Sequence, residues 1–171
     1  MYLASADNKA RFALGCFGKR NLVVFGVNPS TATDVDYDRT IRRVEAYSRA
    51  HGFDGWLMFN LYPQRATDPD DLDAECNLAL RSENTTAIAK ILRNLDDFTL
   101  CAAWGGLIER RNYLYSCLAE IADVVGTDAW HCIGESTKNG HPRHPLYVRK
   151  AASLNNFLIE EYQQQIRLGH M

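Results

Sequence analysis

Leu22-Val23-Val24-Phe25-Gly26-Val27-Asn28-Pro29-Ser30-Thr31-Ala32 carries a short apolar run straight into a polar loop. A run that is apolar at every position reads as a strand covered on both faces. Open α/β sheets bind ligands at the edge where such strands end. Far downstream, Gly140-His141-Pro142-Arg143-His144-Pro145-Leu146-Tyr147 is a second polar loop of the same character, and the two together predict one site built from two loops.

Three further segments read as strands: Gly55-Trp56-Leu57-Met58-Phe59, Phe98-Thr99-Leu100-Cys101-Ala102-Ala103 and Ala129-Trp130-His131-Cys132-Ile133. Between them, residues 38–51, 73–95 and 108–125 repeat apolar positions at three and four residues, the helical period. Gly52 and Gly126 stand where helices end. A last helix is expected over 148–166. Strands alternating with helices predict a three-layer α/β/α domain with a four-stranded, mainly parallel sheet. Right-handed crossovers then bring the loops after all four strands to one edge.

The 171 residues fit a single domain spanning 1–171, and the 46% hydrophobic content suffices for one core. With 19 Lys+Arg against 21 Asp+Glu the formal net charge is -2, so the basic surface that drives non-specific duplex binding is absent from the composition. The five cysteines form no C-x-x-C pair and the N-terminus lacks a signal-like apolar stretch. A cytoplasmic protein with reduced thiols is expected. No run reaches the ~20 apolar residues of a membrane helix, so no membrane partner is expected. Leu168-Gly169-His170-Met171 are assigned no function.

Several loop residues have chemistry to offer. Asn28 donates and accepts through one side chain and can hold a water, a base edge or a sugar hydroxyl; Asn28-Pro29 also reads as a simple turn initiator. Ser30 and Thr31 supply hydroxyls and backbone N–H groups to a phosphate at a helix start, without the lysine and glycine spacing of a Walker A loop. Asp34, Asp36 and Asp38 lack the glycine and distal glutamate of a calcium loop, which leaves Asp38 as a helix cap. Arg42 or Arg43 can reach a phosphate from the first turns of that helix.

In Asn60-Leu61-Tyr62-Pro63-Gln64-Arg65, Asn60 can pair with a base edge, Tyr62 can stack on a base or pack against the protein, and Arg65 can bind phosphate or carboxylate. Trp104-Gly105-Gly106 permits close backbone approach, with Trp104 read as core before ligand platform. His141 and His144 are general acid or base candidates. Three residues apart and without a Cys or Glu pattern, they form no zinc signature, and neither a metal nor another cofactor is expected.

The order of these loops carries a resemblance. Asn28-Pro29-Ser30-Thr31-Ala32, Asp38, Thr40-Ile41-Arg42-Arg43, Asn60-Leu61 through Arg65-Ala66-Thr67, Ala103-Trp104-Gly105, and Thr137-Lys138-Asn139-Gly140 through His144-Pro145-Leu146-Tyr147 look like the bacterial and phage family called domain of unknown function 1643, over about residues 24–148. More distantly, Gly26-Val27-Asn28-Pro29, the Asn60 loop and His144-Pro145-Leu146 are similar to three loops of the uracil-DNA glycosylase superfamily, with Leu146 where serine is common.

That resemblance implies a four-stranded parallel sheet flanked by helices. It further implies a hydrolase that cleaves an N-glycosidic bond, with a nucleic acid or nucleotide, modified bases included, as ligand. Asn28 would position water for attack at C1′ and His144 would stabilise the leaving group or contact phosphate. Asn60 and Tyr62 would read and stack on the base. Gly26, Pro29, Ser30, Thr31, Arg42, Arg43, Arg65, Trp104, Gly105, Lys138, Arg143 and Tyr147 complete the binding residues on this reading. No apolar wedge flanks His144-Pro145 and the net charge is slightly acidic, which favours a free nucleotide, nucleoside or modified base over duplex repair. The alternative function is a non-catalytic nucleotide binder or sequesterer that uses the same pocket.

Overall fold

The apolar segment at 22–25 forms the middle of a strand paired on both sides, the position its composition demands. The computed structural model describes residues 1–169, with His170 and Met171 outside the described residues. Strands β1 (Tyr2–Ala4), β2 (Arg11–Cys16), β3 (Asn21–Gly26), β4 (Gly55–Asn60), β5 (Phe98–Ala102), β6 (Trp130–Ile133) and β7 (Leu154–Asn156) form one sheet in the order β1-β2-β4-β3-β5-β6-β7. The sheet is therefore mixed and seven-stranded, where four strands were expected. The four expected strands pair in parallel at its centre, while β1, β2 and β7 add antiparallel edges.

Helices α1 (Arg39–Ala50), α2 (Leu78–Leu92), α3 (Tyr113–Val125) and α4 (Ile159–Gly169) cover the sheet. One core joins Phe25, Leu57 and Phe59 to Ile88, Leu118 and Tyr162 of α2, α3 and α4. The opposite face packs Leu22, Val24 and Met58 against Ile41, Val44 and Tyr47 of α1. Gly52 and Gly126 follow α1 and α3 at φ of 77° and 89°, the left-handed region that glycine enters without penalty.

Three helices begin later than the periodicity predicts. α3 starts at Tyr113 rather than 108, because Gly105–Arg110 form a 3-10 helix; α2, which also stops at Leu92 short of 95, and the last helix start late too. Residues 73–77 are not helical: the Asp73 amide bonds Gln64, its carbonyl accepts from Tyr113 and Arg111, and Asn77 caps α2 by accepting from Leu80 N–H. The expected helix over 148–166 is instead an irregular stretch, β7 and α4. Leu154 to Asn156 complete the ladder beside β6, with Ile133 opposite Leu154, and helix resumes only at Ile159.

Because β3 to β6 run parallel, Gly26, Asn60, Ala102 and Ile133 end at one edge, and the following loops rise from there. Phe25 anchors this centre, with ring centroids 5.5 Å from Phe59 and 5.0 Å from Trp130. Phe25→Ala is expected to cost about 3–5 kcal/mol in urea unfolding. Val35→Ser, at an exposed loop position, is expected to change stability by less than about 0.5 kcal/mol.

Candidate functional site

At that edge lies a cavity of about 390 Å³. Gly26 and Asn28 reach it from the end of β3, Met58 and Asn60 from β4, Asp38 from the start of α1, and His144 from the last loop. The structure thus brings Asn28, Asn60 and His144 to one cavity, together with Ser30 and Tyr147.

Asn60 occupies the last position of β4, opposite Gly26 in the parallel register. Its carbonyl accepts from the Asn84 side chain of α2 at 2.9 Å, which fixes the backbone. Its own amide is 1% exposed, and neither Oδ1 nor Nδ2 has a hydrogen-bond partner. Buried polar groups are nearly always paired, and leaving one unpaired costs about 1–3 kcal/mol. Gly26 makes room for this amide: a Cβ there would lie 2.7 Å from Met58 Cε and 3.0 Å from Asn60 Oδ1.

Asn28 is oriented by the opposite logic. Its Nδ2 donates both protons, to Ala66 O at 2.8 Å and Pro29 O at 3.1 Å, so Oδ1 is left as a fixed acceptor. An amide cannot titrate at neutral pH; it can only position a donor such as water. Asp38 caps α1, with Oδ1 accepting from Ile41 N–H at 2.9 Å, and is the one carboxylate among the described residues lining the cavity.

His144 starts a 3-10 turn, Pro145–Tyr147. Its Nδ1 accepts from Leu146 N–H at 3.3 Å, which puts the proton of the neutral ring on Nε2. Burial lowers its pKa, against a smaller opposing effect of Asp38. The loop is held down by Gly105, whose N–H donates to Pro142 O at 2.8 Å.

A second cavity of about 520 Å³ adjoins the first and shares Leu107, His144 and Tyr147 with it. Gly105, Arg143, Glu109 and Arg110 line it. His141 faces inward instead: its ring lies 2.8 Å from Tyr162 Oη and 2.9 Å from Glu109 Oε1, and it lines neither cavity.

Other expected binding residues are committed elsewhere. Tyr62 is fully buried, accepts from Asn77 N–H and packs on Tyr113; it is core, not a stacking platform. Trp104 is equally buried and donates to Tyr162 Oη at 3.1 Å. Arg43 donates to Val148 O and Arg42 to Tyr37 O, so both brace loops. Arg65 spends its guanidinium on Ser30 O, Ala32 O and Tyr2 Oη. Pro29, Thr31 and Lys138 line neither cavity, the last two being exposed.

Three charged lining residues, Asp38, Arg39 and Arg11, escape the sequence pattern. Asp38 reads as a cap and is one, yet also faces the cavity. Arg11 lines it from β2, a strand whose Ala and Gly hide its character; a cation opening the apolar Phe12-Ala13-Leu14 is the signal that marks it.

The chain is thus an α/β domain whose parallel strands end at a cavity lined by polar and apolar side chains together. A family model described as "Protein of unknown function (DUF1643)" matches residues 11–146. The chain belongs to this family, and the match begins at Arg11, ahead of the span its loop motifs mark. No curated protein and no solved structure matches the chain. Among the described residues, no helix is long and apolar enough to cross a membrane.

Two outcomes follow from this geometry. Gly26→Ala is expected to displace the Met58 methyl and the Asn60 amide at a cost of about 1–3 kcal/mol, read by urea unfolding. Because the folded state disfavours protonated His144, it binds fewer protons than the unfolded chain below the unfolded value of 6.5. Its contribution to stability is present above that pH and lost as pH falls through the lowered value. His144→Gln should flatten the pH dependence of unfolding free energy in that acidic window.

Proposed function

We propose that the cavity binds a nucleobase and that the protein is a glycosylase-like hydrolase acting on an N-glycosidic bond of a nucleotide or nucleic acid. The observation that carries this reading is the Asn60 amide, buried at the cavity with both its donor and its acceptor unpartnered. The Watson–Crick edge of every nucleobase sets a donor beside an acceptor, the complement of a side-chain amide.

Chemistry follows from the flanking groups. Asn28 Oδ1 accepts a hydrogen bond from a water and aims its oxygen at the sugar C1′. The C1′–O bond forms as the C1′–N bond breaks. Neutral His144 donates from Nε2 to the departing base as its negative charge develops, the kind of stabilisation that contributes most to such barriers. The water's proton passes by way of Asp38 to the released base, so that base–H and a sugar hydroxyl are the products and Asp38 is left ionised again. The resemblance of the Gly26-Val27-Asn28-Pro29 and His144-Pro145 loops to the uracil-DNA glycosylase superfamily supports the same assignment. The net charge of -2 favours a small or single-stranded substrate over a duplex.

Mass spectrometry of products tests this, with the protein incubated with uracil-containing single- and double-stranded DNA, modified DNA and a nucleotide mixture. Wild type is expected to release a free base, and Asn28→Ala to lose at least about 100-fold in rate while retaining ligand affinity, with a lower melting temperature from the lost bonds to Ala66 O and Pro29 O. Ligand retained without any base release, in wild type as in the variant, would make the protein a nucleotide binder instead.

A further inference from the structure

Two guanidiniums meet beside the cavity without a counter-ion. Arg11 Nη1 and Arg65 Nη2 both donate to the same oxygen, Ala32 O, each at 3.1 Å. Arg11 is 2% exposed and Arg65 half-buried, and the Nε of each is buried with no partner. Among the described residues no carboxylate lies within 4.0 Å of either. Asp38 is the acid whose field reaches Arg11, and its Oδ1 is already committed to the α1 amide. Burial, and then the neighbouring Arg65 charge, bring the pKa of Arg11 down to about 10, so it stays charged at neutral pH.

A buried charge is ordinarily paired, and removing its partner is strongly unfavourable. Arg65 already holds Ala32 O together with Ser30 O, so tethering that loop does not require a second, buried cation. Arg11 lines the cavity that holds Asn28, Ser30 and Asn60, so the missing anion belongs on the ligand. We propose that Arg11, backed by Arg65, receives a phosphate of the substrate, which makes the substrate a phosphorylated nucleotide or a unit of a strand rather than a free base or nucleoside. This rests on the nucleobase reading of the cavity. Arg11 supplies a planar donor fork suited to phosphate oxygens, and Arg65 raises the local potential from behind.

The test is a titration-calorimetry comparison of each common nucleoside with its 5′-monophosphate and with a short single strand containing that base. The expected result is a preference of about tenfold or more for the phosphorylated form. In Arg11→Gln that preference should collapse toward one while nucleoside affinity holds. Arg11→Lys should retain part of it, and inorganic phosphate should compete with the monophosphate but not with the nucleoside. Tight binding of the monophosphate assigns a free nucleotide; preference for the strand over the monophosphate assigns a polymer phosphate.

Equal affinity for nucleoside and monophosphate in wild type would overturn the proposal. So would an Arg11→Gln variant that weakens both alike, since Arg11 would then be only a strut for Ala32. If no nucleoside, monophosphate or strand binds, the nucleobase reading fails separately. Inorganic phosphate that raises the melting temperature of wild type but not of Arg11→Gln would then still support the anion site, and its failure to do so would reject that site too.

Discussion

The parallel pairing of β3 with β4 governs the rest of the molecule. Its register sets Gly26 beside Asn60 at the last rung. Both strands then stop at the same edge, and their loops turn out together. α1 leaves on one side of the sheet, carrying Asp38 to the cavity, while α2 passes on the other and holds the Asn60 carbonyl through Asn84. A one-residue slip would send the Asn60 side chain to the opposite face of the sheet and empty the site of its central amide. Gly26 is part of the same constraint, since Met58 and Asn60 occupy the space any larger residue would need.

Around that pair the protein keeps polar groups under-satisfied in a way a purely structural loop cluster does not require. The Asn60 amide and the Nε atoms of Arg11 and Arg65 are buried without partners. Asn28, in the same cavity, spends both amide protons on Ala66 O and Pro29 O, while Asn84 binds the backbone through Nδ2 and keeps a buried, unpartnered Oδ1. Of the unpartnered groups, the Asn60 amide and Arg11 belong to residues that line the cavity, where a ligand can reach them, which gives binding a source of free energy already stored in the fold.

The sequence makes the centre of this architecture legible and its margins much less so. Apolar runs with β-branched and aromatic residues identify β3 to β6 because burial on both faces demands such runs. β2 contains Ala and Gly, and β7 is Leu-Asn-Asn; neither has a periodicity of its own, and both exist because a neighbouring strand offers a ladder. The loops that converge on the cavity are readable from topology, so Asn28, Asn60 and His144 are found together. Tyr62 and Trp104 are not separable from ligand platforms by residue type, since both combine an apolar ring with a polar tip; only their burial and bonds to Asn77 and Tyr162 assign them to the core. Arg11 is hidden for the converse reason: its role depends on a strand that the local sequence does not announce.

The most direct measurement is a crystal structure of the protein grown with a nucleoside 5′-monophosphate. The predicted density shows the base edge within hydrogen-bond distance of both Asn60 Oδ1 and Nδ2, with the sugar C1′ facing Asn28 Oδ1. A nucleotide bound outside the cavity, or seated in it with the Asn60 amide still unpartnered, would contradict the assignment of this edge of the sheet as a nucleobase site.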